Sequence, residues 1–126
     1  MPIKIIAKWT VLEGKREQAI VALRELERAV YEQEPFVLMY TIHFPNMKLT
    51  SFPTPAPSEV IFVSVFTDEA AFQEHLHGPV FNDWLNTYKD LFLLNNGNLF
   101  VISEWIEQIA GFIRPVMVTP PQEARA

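Results

Sequence analysis

Apolar and polar positions follow two different periods in the first part of the chain. Every second residue of 3–11 is apolar, while lysine and threonine interrupt the other face. A period of two with β-branched residues predicts a strand. Between Gly14 and Glu34-Pro35, apolar residues recur at spacings of three and four, which predicts an amphipathic helix. We expect this helix to end before the proline, because the residue preceding a proline avoids helical geometry.

The same two periods continue through the rest of the chain. Alternation predicts a second strand at 36–44, and the proline-rich stretch 45–58 is expected to be a loop. The run 60–66 is almost wholly apolar, as in a strand buried on both faces. Two helices joined at Gly78-Pro79 should follow, since proline suits the first turn of a helix. A last strand is expected at 99–106.

This order of elements defines an expected architecture. Strand, helix, strand, strand, two helices and strand form the ferredoxin-like βαββαβ pattern of an α+β protein, an antiparallel sheet with its helices on one face. We predict one domain over residues 1–118 and a flexible tail at 119–126. Because the strands are apolar on both sides, the face without helices needs a cover. The sequence therefore predicts a homodimer that packs sheet against sheet.

Composition excludes several functional classes. The 126 residues carry a net charge of −5 and no lysine and arginine cluster, which argues against a nucleic-acid partner. Cysteine is absent, so disulfides and thiol nucleophiles are excluded. No apolar run is long enough for a membrane span, and a cytoplasmic protein is expected. His75 and His77 diverge on a helix, which argues against a metal site.

Two segments carry a family resemblance. The segment 66–81, with its acidic helix start, His75 and Gly78-Pro79, resembles the signature region of the antibiotic biosynthesis monooxygenase family. Glu34-Pro35 followed by Tyr40 resembles a second feature of that family. The resemblance covers about residues 3–106. It implies a dimeric α+β barrel, a ring-lined pocket between sheet and helices, and oxidation of phenols or quinols without metal or flavin.

The sequence also departs from the family pattern. Ser64 stands where many members carry a glutamate on the third strand, and Phe36 replaces a glycine at the corner before the second strand. The haem-degrading branch uses an Asn, a Trp and a His, and the matching positions here are Ala7, His75 and Leu85. These departures leave a non-catalytic ligand-binding or structural barrel as the alternative function, with haem binding or degradation a more distant third.

Candidate site residues follow from the chemistry of cofactor-free oxygenation. Such a reaction needs a dry pocket, a base for a phenolic proton and a donor to hold the resulting anion. His75 is the expected base and Tyr88 the expected donor, both in the catalytic role, with no cofactor. Four further aromatic residues are expected to bind the substrate: Trp84, Tyr40, Phe81 and Phe62.

Each of these residues also has a structural interpretation. His75 also fits a helix histidine that bonds a neighbouring carbonyl or caps the end of its helix. Trp84 and Tyr88 lie one turn apart on the apolar stripe of their helix, where they fit core packing as well as substrate contact. The sequence therefore leaves two hypotheses open. One is an oxygenase acting on a small aromatic or quinol-type substrate, and the other is a barrel without chemistry.

Overall fold

The computed structural model describes residues 1–117, and the predicted tail at 119–126 lies outside them. Residues 1–117 form six strands and three α-helices. In order they are β1 Ile3–Thr10, α1 Arg16–Gln33, β2 Val37–His43, β3 Glu59–Phe66, α2 Glu69–His77, α3 Pro79–Tyr88, β4 Leu94–Asn95, β5 Asn98–Leu99 and β6 Ile102–Ile106. Short 3₁₀ helices occupy Lys89–Leu91 and Pro115–Met117.

Four of the strands form one antiparallel sheet in the order β2-β3-β1-β6. This order and the helices confirm the predicted ferredoxin-like α+β fold. Register pairs Ile3 of β1 with Phe66 of β3 at one end of the sheet, and Thr10 with Glu59 at the other. Alternate residues of β3 are fully buried under the helices, as a strand with a period of two requires.

The helical layer covers one face of this sheet. α1 buries its predicted stripe, including Ala22, Leu26 and Val30, against the strands. Gly78 separates α2 from α3, and Pro79 begins α3 as predicted. The main core therefore lies between α1, α3 and the inner face of the sheet.

The opposite side of the sheet has no helices, and we call it the open face. Register and alternation place half-buried apolar side chains at its centre. They are Ile6, Met39, Ile61, Val63 and Val65. Charged residues of β1, β3 and β6 surround this centre, among them Lys8 and Glu59, whose charged groups lie 3.6 Å apart. The open face is thus an apolar patch with a polar border.

Two details differ from the sequence-based prediction. Alternation along the second strand predicts that Leu38 shares a face with Tyr40 and Ile42, but a bulge between Val37 and Met39 interrupts the pattern, and Leu38 is 53% exposed. The last strand was expected from Leu99, whereas Leu99 pairs with Leu94 in a separate hairpin. Asn96 and Gly97 both have positive φ, the geometry of a two-residue hairpin turn, so the chain reverses there before β6 begins.

Candidate active site

A buried carboxylate and a buried imidazole meet beneath the helical layer. Glu34 is the residue at which α1 ends, and His75 lies near the end of α2. The Nδ1 atom of His75 is 2.6 Å from Oε1 of Glu34. Glu34 is 4% exposed and His75 is 6% exposed. A buried charged group is stable only with a partner, and each of these residues supplies one to the other.

Local sequence fixes the position of His75. The Asp68 carboxylate accepts a hydrogen bond of 2.8 Å from the backbone N–H of Ala71, which caps and starts α2. At the other end of α2, a Cβ on Gly78 would lie 2.6 Å from the carbonyl oxygen of Glu74 and 3.8 Å from Oε2 of Glu34. The contact with the Glu74 carbonyl oxygen therefore requires glycine at this position, and the Glu34 carboxylate lies beside it.

Aromatic rings enclose the imidazole. The ring centroids of Tyr40, Phe66 and Phe81 lie 5.5, 5.4 and 5.7 Å from that of His75. Phe62 lies behind Tyr40, at 5.8 Å between centroids. The structure therefore brings four of the predicted site residues together: His75, Tyr40, Phe62 and Phe81.

The hydrogen bond to Glu34 determines what the imidazole can do. With Nδ1 donating to the carboxylate, Nε2 of the neutral ring carries the lone pair that can accept a proton. Among residues 1–117, Nε2 meets no hydrogen-bond partner. Within the same residues, every side-chain nitrogen or oxygen that is fully buried has a hydrogen-bond partner. Nε2 is therefore not fully buried, and in this tautomer it is the atom of the pair that can accept a proton.

The phenol of Tyr40 is held in its neutral form. Burial raises the pKa of Tyr40 far above its ordinary value, and the negative charges of Glu34 and Glu27 raise it further. A phenol in this state can donate a hydrogen bond but does not act as a base at neutral pH. The site thus combines a hydrogen-bond acceptor, Nε2 of His75, with a hydrogen-bond donor, the hydroxyl of Tyr40.

Trp84 belongs to the main core. Its indole N–H donates a hydrogen bond of 2.7 Å to the backbone oxygen of Ala22, on α1. Its ring also packs against Trp9, at 5.7 Å between centroids, and Trp9 contacts Phe62 at 4.2 Å. Because the N–H already has an acceptor, it is unavailable for a ligand in this arrangement.

Tyr88 lies apart from the carboxylate–imidazole pair. Its hydroxyl donates a hydrogen bond of 2.6 Å to the Glu25 carboxylate on α1. This hydrogen bond is the main reason that the pKa of Tyr88 is raised, with burial and the charge of Glu25 adding to it. The shortest series of ring contacts from Tyr88 to His75 passes through Trp84 and Phe81. The structure therefore does not bring the two predicted catalytic residues into contact.

The remaining histidines do not converge on His75. His77 bonds Gln73, and His43 bonds Thr41 across the exposed end of β2. Within residues 1–117, no group of three or more potential ligands could hold a metal ion. None of the helices in the same stretch has the length and apolar character needed to cross a bilayer.

Glu34 was not among the site residues predicted from the sequence. Glu34-Pro35 was expected to end α1 and was part of the family resemblance, but no chemical role was assigned to the carboxylate. The partner His75 lies 41 positions further along the chain, so no local pattern connects the two. The family resemblance of Glu34-Pro35 was the available signal.

Together, these features define an α+β domain with a buried acid–base pair and a ring-lined interior. The model of the antibiotic biosynthesis monooxygenase family matches residues 2–87. This chain belongs to that family, which confirms the resemblance seen in the sequence. No curated protein matches the chain.

Solved structures with the same fold share little sequence. A candidate antibiotic biosynthesis monooxygenase from Caulobacter crescentus superposes with a TM-score of 0.69 at 13% identity, over 86% of this chain and 91% of that one. A protein from Shewanella oneidensis superposes with a TM-score of 0.61 at 24% identity, over 83% of this chain and 90% of that one. A candidate antibiotic biosynthesis monooxygenase from Chloroflexus aurantiacus superposes with a TM-score of 0.62 at 17% identity, over 89% of this chain and 97% of that one. These similarities establish the fold.

Proposed function

We propose that this protein is a homodimeric oxygenase that oxidises a small aromatic or quinol-type substrate with molecular oxygen and no added cofactor. The observation that carries the proposal is the 2.6 Å contact between Glu34 and His75, which leaves Nε2 of a buried imidazole open. Membership of a family named for monooxygenases supports the reaction class. A carboxylate-oriented imidazole is a general base of the kind that a phenolic substrate requires.

In the proposed reaction, Nε2 of His75 takes the proton of a substrate hydroxyl. The Glu34 carboxylate stabilises the imidazolium that forms, since the pair then carries opposite charges in a buried setting. The electron-rich phenolate can pass an electron to oxygen directly. For a phenol, C₆H₆O + O₂ gives C₆H₄O₂ + H₂O, so one oxygen atom enters the substrate and the other leaves as water. All four electrons come from the substrate, and no external reductant is needed.

Rings of the same region supply the substrate surface. Tyr40, kept neutral by its raised pKa, is the proposed donor to the substrate oxyanion. Phe62 and Phe81 form the apolar walls, and Trp84 extends the wall along α3. Tyr88 is the second proposed catalytic residue, and it can donate to a substrate only by giving up its hydrogen bond to Glu25.

The dimer is part of the same proposal. A second copy of this chain would cover the apolar centre of the open face, which the helices leave uncovered. The segment after β6 supports this arrangement, because it carries large apolar side chains in exposed positions. Ile109 is 95% exposed, Phe112 is 79% exposed and Ile113 is 68% exposed. Packing of this segment on the partner would bury them.

A specific observation also favours the non-catalytic alternative. Phe62, Phe81 and Trp84 are less than a tenth exposed and contact one another through Trp9. Rings packed in this way fill space that a substrate would otherwise occupy. In this second function the barrel has a structural or ligand-binding role, and His75 and Glu34 are a buried pair without a reaction.

Oxygen consumption with a polycyclic phenol distinguishes the two functions. With 1,8-dihydroxyanthrone as the probe, the oxygenase should consume oxygen faster than buffer does and form the anthraquinone without hydrogen peroxide. His75→Ala should reduce the rate at least about a hundredfold, the usual scale for loss of a general base. His77→Ala, two residues along the same helix and exposed, should retain it.

Two further variants test whether Glu34 and Tyr88 take part in the reaction. Glu34→Gln should lower the rate about as much as His75→Ala, because the amide does not balance the charge of the imidazolium. Tyr88→Phe should lower it less. A rate equal to that of buffer across phenol and quinol probes, or equal rates in the native protein and His75→Ala, would reject the proposed activity in favour of the non-catalytic barrel.

A further inference from the structure

A cleft at the far end of the sheet from Glu34 and His75 has no role in the proposed reaction. It lies between the turn after β1, the first residue of α1 and the loop after β2, and we call it the α1 cleft. Register places Val37 and Phe66 at the Glu34 end of the sheet and His43 and Ile61 towards the cleft. Its volume is about 570 Å³, within the range typical of small-molecule sites.

The walls of the α1 cleft are mainly apolar. Val11 and Phe44 form its inner side, and Leu12 and Met47 its rim. Leu12 is 38% exposed and Met47 is 47% exposed, so the rim presents apolar surface to solvent. Methionine adapts its shape to different ligands, which suits a rim residue. An apolar body of modest size would therefore gain by entering the cleft.

Two cations line the same cleft. The lining contains two cationic side chains, Arg16 and Lys48, and one carboxylate, that of Glu13. Within residues 1–117, neither cation forms an ion pair and neither side chain donates a hydrogen bond. The guanidinium carbon of Arg16 lies 4.0 Å from the centre of the Phe44 ring, which holds the side chain in place with its N–H donors unused. The cleft is thus locally positive on a chain of net charge −5.

The position of Arg16 is electrostatically unfavourable for the helix itself. It is the first residue of α1, where the macrodipole is positive and acidic side chains are preferred. Its neighbour Lys15 occupies the N-cap without a capping hydrogen bond. A bound anion would offset this repulsion, and the cleft adds an apolar surface that a helix terminus alone lacks.

We propose that the α1 cleft binds a small amphipathic anion, namely a carboxylate on an aromatic or short acyl body. The carboxylate binds Arg16 in the two-pronged geometry that a guanidinium favours, and Lys48 adds a second charge. The apolar body lies between Leu12 and Met47. This site is independent of the proposed oxygenase reaction, since it shares no residue with the carboxylate–imidazole pair.

Calorimetric titration with octanoate and with phenylacetate tests the site. Saturable binding of octanoate alone would identify an acyl ligand, and stronger binding of phenylacetate an aromatic one. The uncharged 1-octanol should bind at least about tenfold more weakly than octanoate, because it lacks the charge that Arg16 recognises. Arg16→Gln should weaken binding of the carboxylate about tenfold or more, and Lys48→Gln several-fold.

A matched control variant tests whether binding depends on Arg16 itself. Arg24→Gln removes an exposed arginine further along α1 and should leave the affinity within twofold. Failure of both carboxylates to bind at millimolar concentration would overturn the proposal. So would equal affinity for octanoate and 1-octanol, or an Arg16→Gln protein that is folded by circular dichroism and binds like the native chain.

Discussion

At the scale of single residues, burial decides which side chains carry chemistry. Glu34 would be costly to bury alone, and its 2.6 Å contact with His75 compensates for lost hydration. Removing one partner of such a pair typically costs about 3–5 kcal/mol, because the other is left without a counterpart. Loss of one partner therefore destabilises the fold whether or not the pair performs catalysis, so stability measurements must accompany every activity measurement on it.

Tyr40 leads to a prediction about pH. Its pKa is raised by burial and by the carboxylates of Glu34 and Glu27, so the folded protein holds the phenol neutral where an unfolded chain would ionise it. The resulting stabilisation is complete below the ordinary tyrosine pKa of about 10 and is lost as the pH rises above it. We expect the free energy of unfolding of the native protein to fall between pH 8 and pH 11 more steeply than that of Tyr40→Phe.

Urea unfolding followed by circular dichroism at the two pH values measures this difference. Each protein is compared with itself at pH 8, so the packing cost of the substitution cancels. Parallel declines in the native protein and Tyr40→Phe would show that ionisation of Tyr40 does not oppose folding. Glu34 and His75 are present in both proteins, so the comparison between them reports on the Tyr40 hydroxyl.

At the scale of elements, local signals set most boundaries. Asp68 begins α2, Gly78 and Pro79 separate α2 from α3, and the alternation of 3–11 fixes β1. These boundaries were predictable because caps, prolines and periods act over a few residues. The bulge in β2 was not, since it depends on how β2 aligns with β3. The hairpin of β4 and β5 was also missed.

The cap of α2 gives a prediction at this scale. Asp68→Ala removes the acceptor for the N–H of Ala71 and should lower the free energy of unfolding by about 1 kcal/mol. Asp68→Asn keeps a side-chain oxygen at the same place and should retain most of the stability. Urea denaturation compares the two. Equal losses in both variants would mean that the charge of Asp68, rather than the cap hydrogen bond, stabilises α2.

At the scale of the whole molecule, the sheet has one covered and one uncovered side. Helices bury the inner face, while the open face exposes the centre formed by Ile6, Val63 and their neighbours. An apolar centre with a charged border is the usual composition of a protein interface. The proposed dimer follows from this asymmetry.

A charge at the centre of the open face should prevent dimer formation. In Val63→Lys, the new ammonium would lie between the two sheets, where burial without a partner is costly. We expect sedimentation equilibrium to give a dimer for the native protein and a monomer for Val63→Lys. Val21→Lys, which places the same charge on the exposed outer side of α1, should remain a dimer. A native protein that sediments as a monomer at micromolar concentration would contradict the proposed assembly.

The sequence by itself determined the fold class, the helix and strand order and the family, because these depend on periods and short motifs that lie within a few residues of one another. It also identified His75 as the candidate base. Only the tertiary structure decided that Glu34 partners His75, that Trp84 bonds Ala22 and that Tyr88 turns to Glu25. Each of these contacts joins residues at least 41 positions apart, and their geometry depends on how helices pack on the sheet, which no local pattern specifies.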